Sequence, residues 1–230
     1  MKTIGLIGGM SWESTVPYYQ ILNRTIAERL GGLHSAKVLL WSVDFQEIEE
    51  LQRTNRWEEA GAVLAEAGVR LEEAGADFLV LCTNTMHKVV PAIEARVGIP
   101  LLHIADATAE AIVQAGFRKV GLLGTRFTME QAFYKARLED LHHLEVVIPC
   151  AEDRAIVHDV IYRELCLGKV LETSRREYGR IIEDLVARGA QCVILGCTEI
   201  SLLVQESDSP VPLFDTTFVH AHAAALRALS

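Results

Sequence analysis

Long apolar runs are missing from the chain: no stretch of its 230 residues approaches the roughly 18 residues of a membrane-spanning helix. The opening residues, MKTIGLIGGM, also lack the cleavage pattern of a secretory signal peptide. Basic charge is in short supply as well, since the formal net charge is -9. Nucleic acids and anionic membrane surfaces both favour proteins with a basic face. These absences predict a cytoplasmic protein that binds neither a membrane nor a nucleic acid.

Cysteines are few and form no C-x-x-C pair, and their number is odd. They are Cys82, Cys150, Cys166, Cys192 and Cys197. Neither a zinc site nor a disulfide framework is indicated by this spacing. The "HAH" of His220 and His222 has metal-binding chemistry, but positions i and i+2 of a helix point in different directions. "GLIGGM" lacks the full G-x-G-x-x-G spacing of a dinucleotide turn. The sequence therefore predicts no metal and no cofactor.

Apolar strand patterns alternate with amphipathic helical patterns along the chain. Segments such as "KTIGLIGG" and "DFLVLCTNT" read as buried strands, and stretches such as "STVPYYQILNRTIAERLGG" and "EQAFYKARLEDL" each read as one helix. Alternation of this kind is typical of parallel sheets covered by helices on both faces. The fold class predicted is α/β.

The alternation occurs twice. "IGLIGGM" matches "VGLLGTR" 116 residues later, and "GADFLVLCT" matches "GAQCVILGC" 114 residues later. The second match places Thr83 opposite Cys197. Parallel α/β folds bind ligands at the carboxyl ends of their strands. Two pseudo-symmetric halves are therefore expected to present Thr83 and Cys197 to one ligand, from opposite sides of a cleft.

Opposed groups around a small ligand suit a reaction in which a proton leaves one face of a carbon and returns to the other. A thiol has a pKa of about 8.5, which a helix N-terminus lowers. Cys197 ends a strand and precedes "TEISLLV", whose start supplies free backbone N–H groups. The Thr83 hydroxyl can donate a proton, but its alkoxide is not accessible in water. Cys197 is the predicted base.

At these residues the chain resembles the aspartate/glutamate racemases, a family that uses two cysteines and needs no cofactor. The motifs that carry the resemblance span the chain: "GLIGGMSWEST", "CTNTMHK", "HIADAT", "GLLGTRFTMEQAFY" and "GCTEISLL". The G-C-T-E form is that of the aspartate-racemase branch. The resemblance implies a first domain of residues 1–105 with 215–230, which contains the C-terminal helix, and a second of residues 106–214. Dimers are common in the family, so a homodimer is one expectation.

The first motif departs from the family pattern Cys-Asn-Thr, because it reads Thr83-Asn84-Thr85. A thiol stands one place early, at Cys82. A shift of one residue along a strand turns a side chain to the other face, so Cys82 is expected to be structural. The resemblance then implies that Cys197 deprotonates L-aspartate or L-glutamate and that a proton returns from the Thr83 side. D-substrates are expected to react poorly.

Substrate recognition is also transferred from the resemblance. The residues expected to bind the substrate are Gly9, Met10, Gln52, Arg53, Asn84, Thr85, Thr125 and Thr198. Three of them, Asn84, Thr85 and Thr198, are expected to hold the α-carboxylate. The family's usual arginine and lysine for the distal carboxylate are missing, with Cys166 at the second position. Gln52 and Arg53 are the nearest substitutes, and Arg126 is a third.

Three other functions stay open on the sequence. Without the distal-carboxylate anchors, a racemase could accept a neutral amino acid such as homoserine or methionine. A single thiol in the second motif also resembles the arylmalonate-type decarboxylases of the same superfamily. The third alternative is an inactive ligand-binding protein, against which the retention of Cys197 argues.

Overall fold

The computed structural model describes residues 1–230, which divide into two compact units. The first unit comprises residues 1–104 and 220–230, and the second comprises residues 105–219. The chain thus enters the second unit after Ile104 and returns to the first at His220. None of the helices has both the length and the apolar character needed to span a bilayer.

The first unit is built on a four-stranded parallel sheet in the order β2-β1-β3-β4. Its elements are β1 (Ile4–Gly8), α1 (Trp12–Leu30), β2 (Val38–Ser42), α2 (Phe45–Arg53), α3 (Trp57–Glu73), β3 (Phe78–Leu81), a 3₁₀ turn (Thr85–Val89), α4 (Val90–Glu94) and β4 (Leu101–Leu102). The last helix, α11 (Thr216–Leu229), adds its residues from His220 onward.

The second unit repeats this topology, with the parallel strand order β6-β5-β7-β8. Its elements are α5 (Ile104–Gln114), β5 (Lys119–Gly124), α6 (Arg126–Glu130), α7 (Ala132–Ala136), a π-helical turn (Arg137–Leu141), β6 (Glu145–Val147), α8 (Ala151–Arg163), a 3₁₀ turn (Leu165–Leu167), α9 (Glu172–Ala187), β7 (Cys192–Gly196), α10 (Ile200–Leu203), a 3₁₀ turn (Glu206–Asp208), β8 (Leu213–Asp215) and the start of α11 (Thr216–Leu229). The predicted α/β class and the duplication are confirmed.

Side chains of β3 alternate between two cores in the first unit. Leu79 and Leu81 pack in a cluster with residues of α3 and α4. Phe78 and Val80 pack on the opposite side, with residues of α1 and α11. This alternation follows from the two-residue period of a strand, and it decides which way each residue after β3 points.

Three elements differ from the sequence patterns. Helices α2 and α8 are not among the predicted elements. The stretch "EQAFYKARLEDL", predicted as one helix, is interrupted at Gln131, whose backbone is extended (φ -92°, ψ 147°). Its end then widens into a π-helical turn. Only Tyr134 of α7 is buried, so little packing holds this segment in one straight helix.

Candidate functional site

In the first unit, the glycine turn after β1 is forced by close backbone contact. Gly9 has φ +92°, and a Cβ at this position would lie 2.7 Å from the backbone nitrogen of Val43. The Gly9 N–H donates to Thr15 Oγ1 (2.9 Å), and Thr15 Oγ1 in turn donates to the Ser11 carbonyl (2.8 Å). Only glycine fits here. Met10 follows as a buried residue.

The first motif follows the neighbouring strand end. Ile7 of β1 pairs with Leu81 of β3, and the Cys82 N–H donates to the Ile7 carbonyl (2.9 Å). The carboxyl ends of β1 and β3 are therefore side by side. Thr83, Asn84 and Thr85 are all buried at the start of the 3₁₀ turn. The predicted residues Gly9 and Met10, and residues 83–85 of the first motif, therefore lie at the same edge of the sheet.

Cys82 lies on the other face. Its side chain is fully buried in the apolar cluster of Phe78, Val80 and residues of α1 and α11. Burial raises the pKa of this thiol far above its ordinary value. A thiol of this kind is neutral and inert, which agrees with the structural role predicted for it.

The two proposed substitutes for the distal-carboxylate anchor differ in position. Gln52 is buried, and its amide contacts Met86 Sδ at 2.9 Å, within the turn that follows the first motif. The Arg53 side chain is 65% exposed, and its guanidinium lies 3.9 Å from the Glu49 carboxylate. The structure brings Gln52 to the motif but gives Arg53 a surface ion pair.

In the second unit, two glycines let the central strands approach closely. Gly124 of β5 pairs with Gly196 of β7. A Cβ on Gly124 would lie 2.8 Å from the Gly196 carbonyl oxygen, and one on Gly196 would lie 2.7 Å from that of Leu123. The residues that follow these glycines, Thr125 and Cys197, therefore start from adjacent strand ends. Thr125 Oγ1 caps α6 by accepting from the Thr128 N–H (3.3 Å).

Cys197 is paired with a carboxylate. Its Sγ–H donates to Glu199 Oε2 at 2.9 Å, and Thr198 Oγ1 donates to the same oxygen at 2.9 Å. All three residues are buried, with Cys197 at 8% and Glu199 at 2% exposure. The chain turns tightly here, because the Ile200 N–H donates to the Cys197 carbonyl (3.0 Å). This turn lets residue 199 reach back to residue 197.

Burial, and secondarily the negative charge of Glu199, raises the pKa of the Cys197 thiol well above its ordinary value. The resting group is therefore a neutral thiol, although the sequence predicts a thiolate stabilised by backbone N–H groups. A thiol that donates to a carboxylate can pass its proton across that hydrogen bond. In this pair, the Cys197 thiol is protonated and the Glu199 carboxylate is positioned to accept its proton.

Glu199 is the residue of this cluster that the sequence interpretation misses. The G-C-T-E motif contains it, but there it marks only a branch of the family. Its acidic side chain two places after a candidate nucleophile, at the first turn of a short helix, is the available signal.

The chain contains no group of three or more His, Cys, Asp or Glu side chains arranged to hold a metal ion. The "HAH" histidines are no exception. His220 is buried, with its two ring nitrogens bonded to Tyr18 Oη (3.0 Å) and to the Leu102 carbonyl (2.9 Å).

The chain thus consists of two matching parallel α/β units, one of which carries a buried thiol that is hydrogen-bonded to a carboxylate. Residues 7–224 match the model of the Asp/Glu/hydantoin racemase family, and the chain belongs to this family.

Similar proteins agree with this assignment. The structure of a candidate Asp/Glu racemase from Yersinia pestis is 57% identical, with a TM-score of 0.93 and 100% of both chains covered. The structure of an aspartate racemase homologue from Pyrococcus horikoshii OT3 is 34% identical, with a TM-score of 0.85 and 100% of both chains covered. The broad specificity amino-acid racemase RacX of Bacillus subtilis is 22% identical over 217 residues, covering 93% of this chain and 92% of RacX.

Proposed function

We propose that this protein is a cofactor-independent racemase in which Cys197 removes the Cα proton of L-aspartate or L-glutamate and a proton returns from the Thr83 side. The observation that carries the proposal is the 2.9 Å hydrogen bond from the Cys197 thiol to Glu199. It supplies what a buried neutral thiol needs to become a base.

The first step is a proton transfer within the pair. Cys197 gives its proton to Glu199 Oε2, which leaves a thiolate beside a neutral carboxylic acid. The thiolate then takes the Cα proton, and the electron pair of the broken C–H bond moves into the substrate carboxylate as an enediolate. Donors from Thr198, Asn84 and Thr85 stabilise the charge that develops there.

The second step delivers a proton to the other face of the carbon. The Thr83 hydroxyl, or a water that it holds, protonates the carbanion, and the resulting anion recovers a proton from solvent. The extra proton on Glu199 leaves to solvent, which restores the starting charge. Since the Thr83 alkoxide is a far less accessible base than a thiolate, D-substrates carry a rate or binding handicap. Return of a solvent-exchanged proton from Cys197 gives Cα exchange without inversion.

A second candidate, a racemase of neutral amino acids, is favoured by one observation. No arginine or lysine of the chain is buried, and Arg53 is a surface residue. A distal carboxylate removed from water normally requires such a cation. The buried Gln52 amide suits a neutral polar side chain instead. RacX, a relative of this chain, carries the description of broad specificity.

Proton NMR in D2O tests the proposal. The purified protein is incubated separately with the L- and D-forms of aspartate, glutamate, homoserine and methionine. Loss of the Cα proton is followed by NMR, and inversion is followed by chiral chromatography. We expect Cα exchange from L-aspartate or L-glutamate to be faster than inversion. Exchange from the D-forms should be slower than exchange from the L-forms, whereas inversion at subsaturating substrate must be equally fast in both directions, because the two enantiomers have equal free energy.

The Cys197→Ala variant, with its fold checked by circular dichroism, is the matched control and must abolish both signals. Exchange with neutral amino acids only would support the second candidate, a racemase of neutral amino acids. Equal rates of Cα exchange from both enantiomers would disprove the role given to Thr83. No exchange with any amino acid would disprove the racemase proposal and direct the test to malonates.

A further inference from the structure

A buried histidine holds the backbone of the first motif. The Nδ1 atom of His87 lies 2.7 Å from the Thr83 carbonyl oxygen, and its Nε2 atom lies 3.1 Å from the backbone nitrogen of Ile104. The imidazole thus links the turn after β3 to the first residue of α5. It is 2% exposed, so solvent contributes little to its position.

The two partners fix one protonation state of the ring. A carbonyl oxygen only accepts, so Nδ1 carries a proton and donates it to Thr83. A backbone N–H only donates, so Nε2 carries a lone pair and accepts from Ile104. The ring is a neutral imidazole in a single tautomer, and exchanging its two nitrogens would break both bonds.

Two further histidine rings lie beside His87. His103 lies against it with ring centroids 4.4 Å apart, and His220 lies at 5.9 Å. His220 is itself fixed by bonds to Tyr18 and to the Leu102 carbonyl. A side chain with both nitrogens bonded and with packed neighbours orients its partner's peptide plane.

We propose that His87 is a positioning residue for the protonation step, acting by fixing the Thr83 peptide and with it the direction of the Thr83 side chain. This inference rests on the proposed function. A hydroxyl is a poorer proton donor than the thiol found at this position in the family pattern. Its alignment with the carbanion therefore controls how often a proton arrives on that face before Cys197 returns one.

Two substitutions of His87 distinguish its hydrogen bond to Thr83 from its hydrogen bond to Ile104. In His87→Asn, the amide nitrogen takes about the place of Nδ1 and still donates to the Thr83 carbonyl. In His87→Gln, the amide takes about the place of Nε2 and still accepts from Ile104, but the Thr83 bond is lost. His220→Gln removes a neighbouring buried histidine but leaves both hydrogen bonds of His87 in place, so it is the control that separates these bonds from ring packing.

The measurement is the ratio of inversion to Cα exchange from the L-substrate in D2O. His87→Gln should lower this ratio by about 10- to 100-fold while L-side exchange persists, because a misdirected donor slows only the protonation on its own face. His87→Asn and His220→Gln should keep the parent's ratio. A purely structural role would lower inversion and exchange together and leave the ratio unchanged.

An unchanged ratio in His87→Gln, or an equal fall in His87→Asn, would overturn the proposal while leaving the racemase function intact. A parent protein that exchanges no L-amino acid would overturn both. Nitrogen-15 NMR of the parent provides a readout that does not depend on activity or on the folding of a variant. At pH 7, His87 should be a neutral ring protonated at Nδ1, and the opposite tautomer would exclude the bond on which the proposal depends.

Discussion

At the scale of single residues, the two motifs offer groups of unequal chemistry. Cys197 has a carboxylate that can take its proton, whereas Thr83 has a histidine that orients its backbone. In the function proposed above, the first arrangement generates a base and the second orients a proton donor. Changing either side chain should therefore alter one enantiomer's reaction more than the other's.

Thr83→Cys should raise Cα exchange from the D-substrate by about 100-fold or more, because it adds a second ionisable base at the opposed position. NMR in D2O from the D-enantiomer measures the effect. Cys82→Ala is the matched control and should leave exchange from both enantiomers near the parent's. D-side exchange that stays unchanged in Thr83→Cys would argue against the opposed geometry.

Glu199→Gln should lower L-side exchange by about 100- to 10,000-fold, since it removes the proton acceptor of the thiol. The same change should lower the pKa of Cys197, because the negative charge of Glu199 helps to raise it. The two effects have opposite consequences: thiol reactivity rises while catalysis falls. Iodoacetamide labelling against pH, with mass spectrometry of the Cys197 peptide, measures the pKa. Glu206→Gln, at an exposed carboxylate nearby in the chain, should change neither quantity.

The sequence identifies both motifs at this scale, because strand-end positions and one-residue shifts follow from the period of a strand. Cys82 illustrates this, since its position one residue before Thr83 predicts its burial. The contacts of Glu199 and His87 depend on tight turns whose side-chain directions no periodic pattern encodes. The surface position of Arg53 likewise depends on α2, an element that the patterns do not predict.

At the scale of elements, the strand ends that carry the motifs depend on glycines in close contact. At Gly9, Gly124 and Gly196, an added Cβ would come too close to the backbone of a neighbouring segment. These residues place the backbone of each motif turn next to a neighbouring strand. Gly124 also belongs to the sequence match that indicates the duplication, in which it corresponds to Gly8.

Gly9→Ala should destabilise the protein by more than about 2 kcal/mol, because a positive φ and a clash with Val43 add together. Urea unfolding compared with Gly31→Ala separates these two causes. Gly31 also has a positive φ (+73°), but no atom lies within 4 Å of its added Cβ. Its variant should lose only about 1 kcal/mol. Equal losses in the two variants would mean that the Val43 contact is unimportant.

Element types with strong periodicity were predictable, such as β1, β3 and α1. The broken helix at Gln131 was not, because its sequence keeps good helical propensity across the break.

At the scale of the whole molecule, a buried histidine links stability to pH. Burial lowers the pKa of His220 from its ordinary value of 6.5 to about 4. Between these values the unfolded chain binds a proton that the folded chain does not. Stability is therefore fully present above pH 6.5 and falls as the pH drops towards 4, by on the order of 3 kcal/mol.

Thermal midpoints measured from pH 7 to pH 4 check this expectation. His220→Gln lacks the titrating group, so its midpoint should be lower at pH 7 but should fall less steeply with acid. The difference between the two proteins isolates His220 from the other groups of the chain that bind protons in acid. Parallel curves for the two proteins would contradict the prediction.

The return of the chain to its first unit sets an order for assembly during synthesis. Four alanines of α11, at positions 221, 224, 225 and 228, fill the core on the α1 side of the first sheet, and the Lys2 N–H donates to the Ala228 carbonyl (2.8 Å). A ribosome delivers the strands of this sheet first, but delivers the helix that covers them last. The intervening residues 105–219 can complete their own sheet in the meantime. The earliest residues to leave the ribosome are thus among the last to gain protection from proteases, and nascent chains of increasing length should show this as resistance that begins in the middle of the sequence.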